Sequence, residues 1–341
     1  MRRIILLWAV MGVVMLGSSA LAFANNNFIA GGSGSGTGGF WEIRNSSGGF
    51  VSSGNLWATR AYHCTVRLAS GNMFLAGGSA SGGTWEIRNG SGGYVSNGTL
   101  WATRSYGHTC SLLSNGNVLI VGGESSQGTW EIRNSAGGLV SDGTLWANRI
   151  DHSATVLSDG TVLLAGGTLS TGSWEIRAVN GSLVSSTGST GIYLWSGRYQ
   201  HCAIQLSDGK IFMAGGGPGG ISWEFRNSNM TFSNANYLWA TRTGDYTCTK
   251  LQNGNIFIAG GDYSPGSWEI RNNTGGLVSN GTLWASRRGH GAELQTNTGN
   301  VLITGGLHSF GTWELRSNTG ALVSSGNLSE QHGAGHTITE Y

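Results

Sequence analysis

General acid–base chemistry needs a carboxylate held beside a second polar group, and this chain writes such a pair repeatedly. "WEIR", or a close variant, begins at Trp41, Trp85, Trp130, Trp174, Trp223, Trp268 and Trp313. The motif sets Glu42 two residues from Arg44, Glu131 from Arg133 and Glu314 from Arg316, and likewise Glu86, Glu175, Glu224 and Glu269 from their arginines. On a strand, residues two apart face the same way, so Glu and Arg share one face and Trp and Ile the other. Paired acids would suit proton transfer. A catalytic centre is singular, however, and seven equivalent copies are not. Charges packed between elements need partners, so these columns are read as structural ion pairs.

A second column is His63, His108, His152, His201, His290 and His336, with Tyr246 in the remaining unit. Six imidazoles around an axis would suit a metal ring, but zinc needs ligands converging within about 2.1 Å. One histidine per repeat, pointing toward a neighbouring unit, is read instead as a hydrogen-bonding core residue. No catalytic residue, metal or cofactor is assigned. No Gly-rich phosphate loop and no Gly-x-Ser-x-Gly elbow stands out.

The elements that hold these columns follow from the repeat. Successive WEIR motifs are 44, 45, 44, 49, 45 and 45 residues apart. A Gly-Gly pair closes an apolar run at Gly31, Gly77, Gly122, Gly166, Gly215, Gly260 and Gly305. A second tryptophan follows the first six motifs, and an Arg then leads into the column His. In the unit from Arg104 to Trp146, "HTCSLL", "VLIVGG", "TWEIRN" and "LVSDGTLWA" read as four strands. Gly-containing turns such as "SNGN" join them. No segment has a convincing helical period. The expected fold is all-β: a seven-bladed β-propeller of four-stranded antiparallel blades. "NNNFIAGG" is a second strand without a first, and "GHTITEY" is a first strand without a second. The C-terminal strand, about His336 to Tyr341, should therefore pair with Phe28 to Ala30 and close the ring.

The apolar strand ending in Gly-Gly, the Trp about twenty residues on and the Arg-x-x-His entering the next strand resemble kelch repeats. The third strand departs from that pattern by writing Trp-Glu-Ile-Arg, which marks a divergent, bacterial-looking subtype. The resemblance implies kinship with galactose-oxidase-like copper enzymes, whose copper site uses two histidines and tyrosines, one cross-linked to a cysteine. "AYHC", Ala61 to Cys64, has those letters. A copper radical oxidase is therefore the alternative reading, although the chain lacks room for those enzymes' extra domains.

The four cysteines are informative within that fold. Cys64 and Cys202 follow their column His directly, Cys110 lies two after its His, and Cys248 two after Tyr246. Successive positions on a strand face opposite sides. In adjacent blades, one thiol of each pair faces forward and the other back, which favours Cys64–Cys110 and Cys202–Cys248. Three pairings, or four free thiols, are the alternatives.

"MRRIILLWAVMGVVMLGSSALAFA" has the basic start, apolar run and small-x-small end of a signal peptide over residues 1–24, leaving the propeller at 25–341. The chain is expected to be exported. The alternative is an uncleaved anchor. Without Arg2 and Arg3, 17 basic side chains face 17 acidic ones, so no excess charge grips phosphates and nucleic acid is not expected.

The seven units agree in the turn between strands one and two and differ at the opposite end: "SGSGTGGF", "ESSQG", "GPGGI", "DYSPG", "LHSFG". Loops on a rigid scaffold carry function. Candidate ligand-binding residues are Tyr62, Tyr106, Glu124, Asp151, Tyr199, Asp245, Tyr263, His308 and Phe310. Tyrosines with acids suit a protein or glycan partner. The expected function is a non-catalytic, monomeric binding module, with a lectin as one form of it.

Overall fold

The computed structural model describes residues 25–33, 38–218 and 220–341. The segment read as a signal peptide and the tip of the first variable loop, residues 34–37, lie outside the described residues. Seven four-stranded antiparallel sheets form among the described residues. Their innermost strands contact one another in a closed circuit, from Cys64–Arg67 around to Thr337–Glu340 and back. The architecture is a seven-bladed β-propeller. Blades are numbered here by their WEIR strands, from blade 1 (Phe40–Asn45) to blade 7 (Thr312–Arg316).

Closure follows the expectation from the chain ends. Thr337–Glu340 pairs antiparallel with Asn26–Ala30 in blade 1, in the register Asn27↔Glu340 to Ala30↔Thr337. The Asn26 and Tyr341 backbones exchange two further hydrogen bonds, of 3.1 and 2.9 Å. The strand that would have been an open edge is thereby paired.

Each strand's composition follows from what covers it. The second strand, such as Met73–Ala76, is packed on both faces and is apolar throughout. In the third strand, Trp and Ile face the following blade. There the tryptophan ring lies on a left-handed glycine in the outer hairpin turn. At Gly137 (φ 86°), a Cβ would come within 2.1 Å of the Trp85 ring. Blade 5 fills that turn position with Met230, also left-handed at φ 66°, which is buried in the cluster that holds Trp174.

Glu and Arg of WEIR face the preceding blade. Glu131 is fully buried and holds Arg133 at 2.7 Å through one oxygen and Arg104 at 3.2 Å through the other. The Trp101 backbone N–H also donates to it, at 3.0 Å. Arg104 in turn donates to the Gly122 carbonyl at 2.7 Å, the first glycine of the diglycine. Burial lowers the Arg104 pKa, and Glu131 opposes that. Three charges removed from water are held here because the carboxylate and both guanidiniums are paired and hydrogen-bonded.

The same Arg–Glu–Arg staple recurs on Glu86, Glu175, Glu224, Glu269 and Glu314. The seventh junction differs. Glu42 keeps Arg44 at 2.7 Å, but the second arginine's place is taken by His332, whose ring bonds the Gly31 carbonyl at 2.9 Å. Ser329 supplies its hydroxyl and its N–H to Glu42 instead, and Glu330 its N–H.

Candidate functional site

The inner strands form a girdle just below the variable end of the channel. Column histidines reach across each junction to the hydroxyl that follows the neighbouring column residue. His152 Nε2 meets Thr109 at 2.9 Å, His201 meets Ser153 at 2.9 Å, His290 meets Thr247 at 2.8 Å and His63 meets Thr337 at 3.0 Å. At two junctions a cysteine replaces that hydroxyl, and a disulfide replaces the hydrogen bond. These are Cys64–Cys110 and Cys202–Cys248, with Cα–Cα distances of 5.7 and 6.1 Å. Both pairings match the sequence expectation. His108, deprived of a hydroxyl, bonds the Ala76 carbonyl at 3.1 Å, which requires its Nε2 to carry the proton. Tyr246 likewise donates to the Ala214 carbonyl. His336 bonds Thr304, because Gly291 offers no side chain.

Burial keeps these rings neutral. It pushes His108 down to about 4, and His201 and His336 to about 3. His63, His152 and His290 are also lowered well below the usual histidine range, first by burial and then by neighbouring arginines and histidines.

These contacts decide the metal question from the donors. Among the described residues, one cluster brings His and Cys ligand atoms within 4.8 Å of each other: Cys64, His108 and Cys110. Its sulfurs are joined to each other and its Nε2 serves a carbonyl. The copper set suggested by "AYHC" fails on the same residues. The Cys64 sulfur is committed to Cys110 and cannot also link to a tyrosine, and His63 Nε2 serves Thr337. The residues present do not fit such a copper centre.

Above the girdle the seven-fold symmetry breaks. The residue before each column His or Tyr is left-handed in every blade: Tyr62, Gly107, Asp151, Gln200, Asp245, Gly289 and Gly335, with φ between 50° and 73°. Their backbones chain around the channel mouth. Tyr62 N donates to Gly335 O, Gly335 N to Gly289 O and Gly289 N to Asp245 O, while Gln200 N donates to Asp151 O and Asp151 N to Gly107 O. Side chains longer than aspartate resist this conformation, and such strain clusters at functional sites. The chain imposes it here on Tyr62 and Gln200, and sets Asp151 and Asp245 in the same conformation, on an arc from Tyr62 through Asp245.

That arc walls a cavity of about 580 Å³, lined by Tyr62, Ser79, Tyr106, Gly107, Asp151, Gln200, His201, Asp245 and Tyr246. The volume lies within the range of small-ligand sites. Gln200 donates to Asp151 at 3.3 Å. Burial raises the Asp151 pKa, and the Asp245 charge raises it further. Asp245 is raised by burial and then by Asp262, which itself holds Arg288 at 2.7 Å. The Glu124 carboxylate bonds the Tyr106 hydroxyl and raises its pKa.

Of the nine candidate residues, the structure brings Tyr62, Tyr106, Asp151 and Asp245 to this cavity, with Glu124 bonded to its edge. Tyr199 pairs with Gly217 in a short extra ladder, its ring against that glycine. Tyr263, 81% exposed, and His308, both left-handed, and Phe310 sit on loops outside the lining. Gln200 and Ser79 were missed by sequence reasoning. The signal for Gln200 was its place in a repeat position, just before the column residue, that changes type from blade to blade.

No family model matches the chain, and no curated protein matches it. Solved structures do. The chain is similar to a fungal alcohol oxidase of the AA5 family in complex with copper (TM-score 0.61, 15% identity, 80% of this chain and 66% of that one). It is similar to virginiamycin B lyase from Staphylococcus aureus with quinupristin (TM-score 0.62, 10% identity, 80% and 88%). It is also similar to a putative 6-phosphogluconolactonase from Bacteroides fragilis (TM-score 0.69, 12% identity, 94% and 99%). At these identities the likeness shows the propeller fold alone.

Proposed function

We propose that the protein is an exported, monomeric, kelch-like propeller that binds a carbohydrate, without turning it over, at the mouth of its central channel. The observation that carries this reading is the broken symmetry of the left-handed ring. At that ring a seven-fold scaffold changes its letters and places two carboxylates, an amide and a phenol around one cavity. Aromatic rings beside fixed hydrogen-bonding groups suit a sugar, whose faces are apolar and whose rim is polar. Binding is favoured over catalysis by the hydrogen bonds in the wall. The Ser79 hydroxyl donates to the Ala61 carbonyl at 3.4 Å, so that serine is not held by a base as a nucleophile.

Export is supported by two disulfides, which persist in oxidising compartments, and by the signal-like residues 1–24. Among the described residues, no helix is long and apolar enough to cross a membrane. A glycan array read with the purified protein tests the function. Glycans retained by the native chain and lost by Tyr62→Ala support it. An array with no retained glycan, together with a protein captured from the host's surface fraction, would replace the sugar with a protein partner. Copper uptake with aldehyde formation would instead restore the oxidase reading.

A further inference from the structure

The cavity differs from the blade seams in one electrostatic respect. The seven WEIR carboxylates, all buried, are each held by at least one arginine. Asp151 and Asp245 also lose much of their hydration, yet among the described residues neither lies within ion-pair distance of a basic side chain. Gln200 and Thr168 hydrogen-bond Asp151, and Arg288 is taken by Asp262. The nearest imidazole in the wall, His201, is kept neutral by its burial. The cavity therefore presents two carboxylates, three phenol rings and an amide, with no positive charge of its own.

A site with that balance is completed by a cation. Carboxylates give an ammonium charge-assisted hydrogen bonds, and tyrosine faces attract the same charge through their quadrupole. A neutral or anionic ligand would leave Asp151 and Asp245 repelling each other across the pocket. Resting on the carbohydrate reading above, we infer that the ligand is an amino sugar carrying a free, protonated amine, bound with its ammonium between Asp151 and Asp245 and its ring against Tyr62 or Tyr106.

The test compares a glucosamine tetramer with its fully N-acetylated counterpart by calorimetry, against the native protein and the Asp151→Asn and Asp245→Asn variants. Asparagine adopts left-handed backbone as readily as aspartate, so both variants keep the ring geometry. Unchanged thermal unfolding verifies that. The expected result is native binding of the tetramer at least tenfold tighter than of the acetylated form, with each asparagine variant weakening the tetramer about tenfold or more. Equal binding of both sugars overturns the amine inference and leaves the carbohydrate reading standing. Binding of spermidine, abolished by Asp151→Asn, with neither sugar bound, keeps the cation site and removes the sugar. No binding of any of the three overturns the amine inference, and the glycan array alone decides the carbohydrate reading.

Discussion

Acid should dismantle this protein through its histidine girdle. His108 is held at about 4, and His201 and His336 at about 3, against about 6.5 in an unfolded chain. Between those values the unfolded state binds protons that the folded state refuses, so stability rises with pH and is fully present only above about 6.5. At pH 5 each of these rings costs about 2 kcal/mol relative to pH 7.5. The three together cost about 6 kcal/mol. That is comparable to the whole stability of a marginal domain, and His63, His152 and His290, also lowered well below the usual range, act in the same direction. Raised carboxyls work the other way, Asp151 and Asp245 of the cavity among them. Burial and the Glu340 charge push Glu293 up to about 7, so it favours the folded state as pH falls. It offsets at most about one histidine's share.

The assay is equilibrium urea unfolding at pH 7.5, 6 and 5, with proton uptake on unfolding measured by calorimetry in buffers of different ionisation enthalpy. Uptake of several protons at pH 5 is expected, reduced by about one in His201→Gln. A midpoint that does not move between pH 7.5 and 5, or uptake below one proton, would refute the assignment of these rings as buried and neutral.

Glu131→Ala should cost about 3–5 kcal/mol, because it leaves Arg104 and Arg133 buried without an anion. Ser141→Ala, on the adjoining outer strand, serves as a control within about 0.5 kcal/mol in the same denaturation experiment. Thiol titration of the unreduced, denatured chain should find no free cysteine, and reduction should lower the urea midpoint by up to about 4 kcal/mol of stability per bridge for loops of 46 residues. Removing the residues after Gly335 deletes the strand that pairs with Asn26–Ala30. The truncated chain should lose the cooperative transition of the intact ring, and identical melting of the two would contradict closure by that strand.

Much of the fold was legible because every blade repeats the same physical problem. The Glu–Arg column, its Trp–Ile reverse and the diglycine all have one answer, and the unpaired strand at each end named its own partner. The second arginine of each staple was less visible. Arg104 reads in sequence as a lead-in to His108, and only the ring brings it to Glu131, 27 residues on. The left-handed ring was hidden for a related reason. Glycine and aspartate before the column residue fit such a backbone, but Tyr62 and Gln200 do not suggest it. Their conformation is dictated by bonds to other blades, such as Gln200 N to Asp151 O. Tyr263 and His308 share that backbone conformation and the sequence variability of Asp151. What separates them is that Asp151 lines the cavity and they do not, a placement that a linear repeat does not encode.

The odd junction at Glu42 has a consequence for how the molecule comes apart. Six seams carry a second guanidinium that grips both a carboxylate and a diglycine carbonyl; the seventh divides that task between a serine, a backbone amide and a neutral imidazole. A ring of identical seams would break anywhere, and its unfolding would be a race among equals. This one has a clasp. Excursions from the closed state should concentrate between blades 7 and 1, so amide protons of Thr337–Glu340 should exchange ahead of those in the inner strands opposite, and the order of disassembly is written into the one place where the repeat changes its letters.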